Sequence, residues 1–299
     1  MTLAVHLGYH KTATTWMQQQ VFIPNMGFAP LLNHQVVDQQ IIRPHDLFFD
    51  PIQAKNSLKL ERETIPKGML GVVSSETLSG HPFFGGRQSA SIARRLQKIA
   101  PDAQIIICVR SQNTMLPSVY MQYLQRGGTL PHQQFFSGGQ SYGYPSFELE
   151  HFQYHRLISL YQSLFEKVHV MTFEDVSKDP ARALQRLSKA IDHPIPALSD
   201  KGLQKISASI PQAYAPILRA VNQTRSSTLN PAPAIALSRE PGWMYRALGA
   251  FAQLRTAKRL MRSTPVSDYV RSHLAASFTD SNKQLDHITN GSLDLSAYP

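Results

Sequence analysis

The sequence opens MTLAVHLGYHKTATTW, residues 1–16, and the reading of this stretch decides the rest. A short apolar run, Leu3 to Leu7, leads into Gly8; Lys11, Thr12, Thr14 and Thr15 follow, and an apolar helical pattern begins at Trp16. Strand, tight basic turn rich in hydroxyls, then helix is a geometry that holds a phosphate. Backbone N–H groups converge at a helix N-terminus, where the helix dipole favours negative charge. The threonine hydroxyls add donors, and Lys11 adds a mobile point charge. The plainer reading is a helix N-terminus capped by threonine, with Lys11 in solvent. The common triphosphate loop closes on Gly-Lys-Ser/Thr. Here Lys11 stands four residues before Thr15 with no glycine directly ahead of it, and no acidic strand end offers a magnesium ligand. That makes a P-loop nucleotide kinase or NTPase the second reading.

Working outward, three further apolar, β-rich runs at residues 69–73, 105–109 and 168–173 read with residues 3–7 as buried parallel strands. Helical patterns lie between them, at 15–22, 89–99, 115–124, 147–165 and 180–191. Strands alternating with helices predict an α/β fold: a P-loop-like parallel sheet flanked by helices, with a helical C-terminal part. Residues 126–145, rich in Gly, Gln, Ser and Tyr, read as a long functional loop whose Phe135, Phe136, Tyr142 and Tyr144 offer rings to an acceptor cleft. After residue 195 the pattern weakens, and a basic helix candidate runs over 243–261. No linker is evident, so one domain over residues 1–299 is expected.

At 299 residues the chain can bury a sizeable core. Its net charge of +10 favours anionic partners. The basic residues are scattered rather than run together, which counts against a basic nucleic-acid or membrane binding module, the third reading. A single cysteine, Cys108, excludes an intramolecular disulfide and a cysteine-based metal cluster; it falls inside an apolar strand and reads as core. The N-terminus has no basic segment followed by a long apolar stretch, and no apolar run approaches a membrane-spanning length. The expectation is a soluble cytoplasmic protein. Residues 251–261, apolar on one face and basic on the other, allow peripheral contact with the inner membrane face or packing on the core.

A second constellation supports the first. The run at 105–109 ends in Arg110, a helical pattern starts near Met115, and Ser118 lies eight residues after Arg110. An arginine at the C-terminal end of a strand stands where ligands bind in doubly wound sheets. With a hydroxyl one or two turns into the next helix it can clamp a second phosphate; alone it reads as a surface ion pair.

With these residues in place, the sequence resembles the sulfotransferases that use 3′-phosphoadenosine-5′-phosphosulfate (PAPS) and release PAP. GYHKTATTW, residues 8–16, is similar to their 5′-phosphosulfate loop, usually written Lys-x-Gly-Thr-Thr. VRSQNTMLPS, residues 109–118, is similar to their 3′-phosphate motif, an Arg followed eight residues later by Ser. VHVMTFEDVSKDP (168–180) resembles the late strand and acidic turn of bacterial carbohydrate-type members, and SNKQLDHITNGSLDLSAYP (281–299) their C-terminal tail. Two departures are visible. Ala13 stands where the family usually has Gly, which a helical φ would tolerate. The Arg-Lys-Gly segment of the cytosolic branch has no clear copy.

The resemblance implies transfer of a sulfuryl group to an acceptor hydroxyl or amine, without a metal. Lys11 would neutralise charge on the leaving oxygen. Thr12, Ala13, Thr14 and Thr15 would bind the 5′-phosphate, and Arg110 and Ser118 the 3′-phosphate. Trp16 would pack on the adenine or, equally, serve as a first-turn core residue. The acceptor must lose a proton. Glu76, just past the strand at 69–73, matches the base position of carbohydrate-type members; its alternative is a helix-capping or surface carboxylate. His81 is the second candidate base, and His10 a candidate for contact with the sulfuryl group. Lys201, Gly202 and Ser207 would close over the cofactor or form a plain loop. The Glu76 arrangement favours a carbohydrate or glycolipid acceptor.

Overall fold

The computed structural model describes residues 3–138, 146–198, 211–233 and 263–299. Five strands form one sheet: β1 (Leu3–Gly8), β2 (Phe28–Pro30), β3 (Leu70–Ser74), β4 (Gln104–Val109) and β5 (Val168–Thr172). Their order is β2-β3-β1-β4-β5, and every pairing is parallel. Val5 of β1 lies against Val73 on one side and Ile105 on the other. All residues of β1 and β4 are buried, which is why both read as unbroken runs instead of alternating ones.

The described helices are α1 (Thr14–Trp16), α2 (His34–Val37), α3 (Pro51–Glu63), α4 (Ser89–Ile99), α5 (Gln112–Gln125), α6 (His132–Phe136), α7 (Tyr154–Leu164), α8 (Phe173–Lys178), α9 (Pro180–Ala190), α10 (Ala215–Gln223), α11 (Pro265–Tyr269) and α12 (Thr279–Ile288). They cover both faces of the sheet, as expected for an α/β fold. Leu3, Val5 and Leu7 point into the larger apolar cluster, with Ile92 of α4 and Ile158 of α7. Ala4 points into the smaller one, with Trp16, Met17 and Leu187. That division follows the two-residue period of a strand. Among the described residues no helix is long and apolar enough to cross a membrane.

Several expected boundaries move. The helix expected over 147–165 begins only at Tyr154, after a 3-10 turn, Leu149–Phe152, and a break at Gln153 (ψ 77°). Phe173, expected to end the fourth strand, opens α8, because the Thr172 side chain accepts from the Asp175 N–H and caps a new helix. The helix expected over 115–124 starts earlier, at Gln112, and accommodates Pro117. After Trp16 the first helix continues as a π-helical segment, Met17–Val21. Strand β2 has no counterpart among the expected strands. Three residues ending in proline show no strand period, and pairing with β3 makes them one. Within the expected loop at 126–145, residues 132–136 form α6, and Phe135 and Phe136 are buried in the larger apolar cluster against Phe147 instead of offering rings to a cleft. The basic helix candidate at 243–261, the loop residues Tyr142 and Tyr144, and Lys201, Gly202 and Ser207 lie outside the described residues.

Candidate active site

The chain turns back at the C-terminal edge of the sheet after β1, β3 and β4, and the three turns meet. The Tyr9 N–H donates to the Cys108 carbonyl (3.1 Å), and the Ser75 N–H to the His6 carbonyl (3.1 Å). The Cys108 thiol donates to the Thr12 carbonyl (3.3 Å), and the Ser79 hydroxyl to the Gly8 carbonyl (3.1 Å). Position 8 must be glycine, since a Cβ there would run into the hydroxyls of Thr12 and Thr14.

Lys11 (φ 68°) and Ala13 (φ 63°) are both left-handed, with Thr12 between them. That alternation turns successive N–H groups inward into an anion-binding nest. Among the described residues nothing accepts from the N–H groups of Lys11 through Thr15. The Thr14 hydroxyl is buried without a partner, whereas the Thr12 hydroxyl donates to the Tyr9 carbonyl (2.5 Å). These free donors at a helix N-terminus fit a phosphate. The expected helical φ at Ala13 is not what the loop adopts: Ala13 caps α1 in a left-handed conformation, without a side-chain cap, because the nest requires it. Trp16, only 8% exposed, belongs to the smaller apolar cluster beneath the loop, which is the core position of its second reading.

Arg110 stands beside this nest. Its Nη1 donates to the Lys11 carbonyl (3.0 Å), its Nε donates to the Thr114 hydroxyl (2.9 Å), and its guanidinium lies over the Phe173 ring at 4.4 Å. The Ser118 hydroxyl donates to the Thr114 carbonyl (3.1 Å). Arg110, Thr114 and Ser118 therefore line one face at helical spacing. The Arg110 carbonyl is fixed by the Tyr154 hydroxyl (2.7 Å), and the Ser111 N–H by a Glu174 oxygen (3.0 Å).

On the other side of Lys11, Glu76 opens the 3-10 turn Glu76–Ser79, with its N-cap Ser75 accepting from the Thr77 N–H. One Glu76 oxygen lies 3.8 Å from His10 Nε2, and the His10 and His81 rings are 5.8 Å apart. His10, Glu76, His81 and Lys11 thus gather at one place. His81 Nδ1 accepts from the Phe83 N–H (3.3 Å), which assigns its ring proton to Nε2. Burial pulls His10 down to about 3, helped by the neighbouring His81 and His151 rings and by the Lys11 and Arg126 charges, so its ring is neutral at pH 7. Lys11 is held below its ordinary value, first by lost hydration. Glu76 opposes that shift, and the Arg110 and Arg126 guanidinium groups add to it. Arg126 and Thr114 are absent from the expected site. Thr114 was findable at four residues from Arg110. Arg126 carries no sequence signal, because tertiary packing alone brings the end of α5 to the loop.

No protein-family model and no curated protein matches the sequence. Among solved structures, the chain is similar to a sulfotransferase from Alicyclobacillus acidocaldarius (15% identity over 74% of this chain and 92% of that one, TM-score 0.44). It is also similar to mouse sulfotransferase SULT7A1 complexed with PAP (14% identity, 97% and 89%, TM-score 0.42). A third likeness is to the sulfotransferase domain of the Synechococcus PCC 7002 olefin synthase (13% identity, 98% and 96%, TM-score 0.41).

Proposed function

We propose that the chain is a sulfotransferase, acting as one domain, that moves a sulfuryl group from PAPS to an acceptor hydroxyl or amine. The observation that carries this reading is the row of unpartnered N–H groups from Lys11 to Thr15, flanked by Arg110–Thr114–Ser118 on one side and by Glu76 on the other. A triphosphate loop closes on Gly-Lys-Ser/Thr, and this loop does not. A group transfer to a hydroxyl needs both a cation for the leaving oxygen and a base for the acceptor.

The cosubstrate, when bound, supplies a sulfuryl group on a phosphate that leaves readily. The protein supplies position and charge. The N–H groups of Lys11 through Thr15, with the hydroxyls of Thr14 and Thr15, hold the 5′-phosphate. The Lys11 ammonium neutralises charge that grows on the leaving oxygen. Arg110 and Ser118 hold the 3′-phosphate, with Thr114 orienting the guanidinium. Glu76 takes the acceptor proton: a carboxylate keeps lone pairs free, whereas His81 commits its unprotonated nitrogen to the Phe83 N–H. His10, neutral and buried with its Nε2 3.8 Å from Glu76, faces the sulfuryl group. Trp16 supports the loop from the core. A carbohydrate or glycolipid acceptor belongs to this proposal through the sequence resemblance; a cytoplasmic location belongs to it through the composition, and peripheral membrane contact through the apolar and basic faces of residues 251–261.

The test combines labelled sulfate transfer from PAPS with calorimetric binding of PAP. Lys11→Ala is expected to lower transfer about 10²–10³-fold, as removal of a transition-state donor does, with PAP still bound. Arg110→Ala is expected to weaken PAP binding about tenfold or more. A wild-type protein that binds no PAP overturns the reading.

A further inference from the structure

We infer that the side of Lys11 away from Arg110 is a subsite for an acceptor carrying a negatively charged group, with Arg126 as the counter-charge and the exposed rings of His81 and Phe84 as its wall. This inference rests on the sulfotransferase reading and names the acceptor class for that site.

Arg126 closes α5: its N–H donates to the Gln122 carbonyl (3.0 Å), and its side chain is exposed. At 1.5 Å per residue it stands about 12 Å beyond Ser118 along the helix, past the reach of the 3′-phosphate face. Packing ties this end of α5 to the loop. Tyr123, one turn before Arg126, meets Phe83 ring to ring at 5.8 Å. The turn that carries Phe83 begins at His81, whose ring lies 5.8 Å from His10 and 4.9 Å from Phe84. The positive charge of Arg126 bears on His10, Lys11 and His81 alike.

The charge balance here is lopsided. The charges of Arg126 and Glu76 both bear on Lys11, and among the described residues no carboxylate pairs with Arg126. Two buried ring nitrogens, His10 Nδ1 and His151 Nε2, have no hydrogen-bond partner beneath the same wall. An anionic acceptor resolves the imbalance. Its charge is held by Arg126, which also offsets the repulsion between that charge and the Glu76 carboxylate. The His81 and Phe84 rings receive an apolar sugar or aryl face. A guanidinium at a helix C-terminus also complements the helix dipole, but that role alone would not discriminate between acceptors.

The experiment uses a matched pair, p-nitrophenyl β-glucoside and p-nitrophenyl β-glucuronide, titrated into the full chain saturated with PAP. The glucuronide is expected to bind about tenfold more tightly than the glucoside. Arg126→Gln is expected to abolish the difference, and Arg126→Lys to retain most of it. PAP affinity should stay within about twofold of wild type in both variants. Equal binding of the pair to wild type overturns the inference, and so does a preference that survives in Arg126→Gln. A loss of PAP affinity in Arg126→Gln assigns the guanidinium to the nucleotide and overturns it too. Failure of PAP itself to bind wild type is a separate outcome that removes the sulfotransferase reading.

Discussion

Ala13 carries a methyl group at φ 63°, a conformation that costs an L-residue about 1–2 kcal/mol. The nest demands it, since only alternating left- and right-handed residues aim consecutive N–H groups at one point. Ala13→Gly is therefore expected to raise unfolding free energy by about 0.5–1 kcal/mol, the relief of strain less the added freedom of the unfolded chain. Urea denaturation of the two proteins measures it, and an unchanged or lower midpoint would remove strain from the account. Lys11, at φ 68°, bears the same conformation. Strain held at a binding loop and stabilised by the surrounding sheet is a recurrent arrangement. The sequence spacing pointed to Lys11, Arg110 and Ser118, because charge and hydroxyl positions are legible one residue at a time. The backbone angle of Ala13 is not, because it is set by the hydrogen bonds that Thr12 and Gly8 make to β4 and to Ser79.

The start of α5 is clamped by segments far away in the chain. Gln112 Nε2 donates to Asn282 Oδ1 (2.9 Å) and to the Phe152 carbonyl (3.1 Å), and Asn282 Nδ2 donates to the Pro299 carbonyl (2.9 Å). The Ser111 hydroxyl donates to the Ala297 carbonyl (2.7 Å), and the Tyr298 hydroxyl to Glu174 (3.2 Å), whose other oxygen accepts from the Ser111 N–H. The last residues thus sit directly behind Arg110. Asn282→Ala is expected to cost about 1–3 kcal/mol, because it leaves the buried Gln112 amide and the Pro299 carbonyl short of partners. PAP binding should weaken with it, because the clamp fixes the turn that presents Arg110. Thermal melts and PAP calorimetry on the same variant check both parts, and intact PAP affinity would show that the turn holds without the tail. At this level the apolar runs made β1, β3, β4 and β5 readable. The boundaries of α7 and α8 and the strand β2 depended on caps, a 3-10 turn and a neighbouring strand.

His6 and His10 are buried and His151 is partly buried, and all three rings are kept neutral. Burial pulls His6 and His10 to about 3 and His151 to about 4, from an ordinary value of 6.5. The unfolded chain therefore binds more protons than the native one below about pH 6.5, so stability rises with pH there and is lost as pH falls toward the native values. Each histidine contributes about 1.4 kcal/mol per pH unit inside that window. Urea midpoints should hold above pH 7 and drop steeply between pH 6 and 5. A flat profile would mean that these rings protonate in the native state. The same burial pushes the Cys108 thiol up to about 12, which makes it inert to alkylating reagents at pH 7.5 in the native protein. Release of the thiol only on denaturation, followed by a thiol-reactive dye, is the expected result.

Residue order alone determined the alternation of apolar runs and helical patterns, hence the parallel sheet, and it pointed to a turn suited to a phosphate at the end of the first strand. It could do so because burial on both faces writes an unbroken apolar run into a central strand, and because anion binding needs particular donors at short range. The packing of distant segments decided what stands around that loop. Glu76 and His10 meet because β3 and β1 are neighbours, Arg110 is fixed by the carbonyl of Lys11, and the end of α5 lies beside the turn at His81–Phe84 because Tyr123 packs on Phe83. Those contacts join residues tens of positions apart, and no local pattern encodes them.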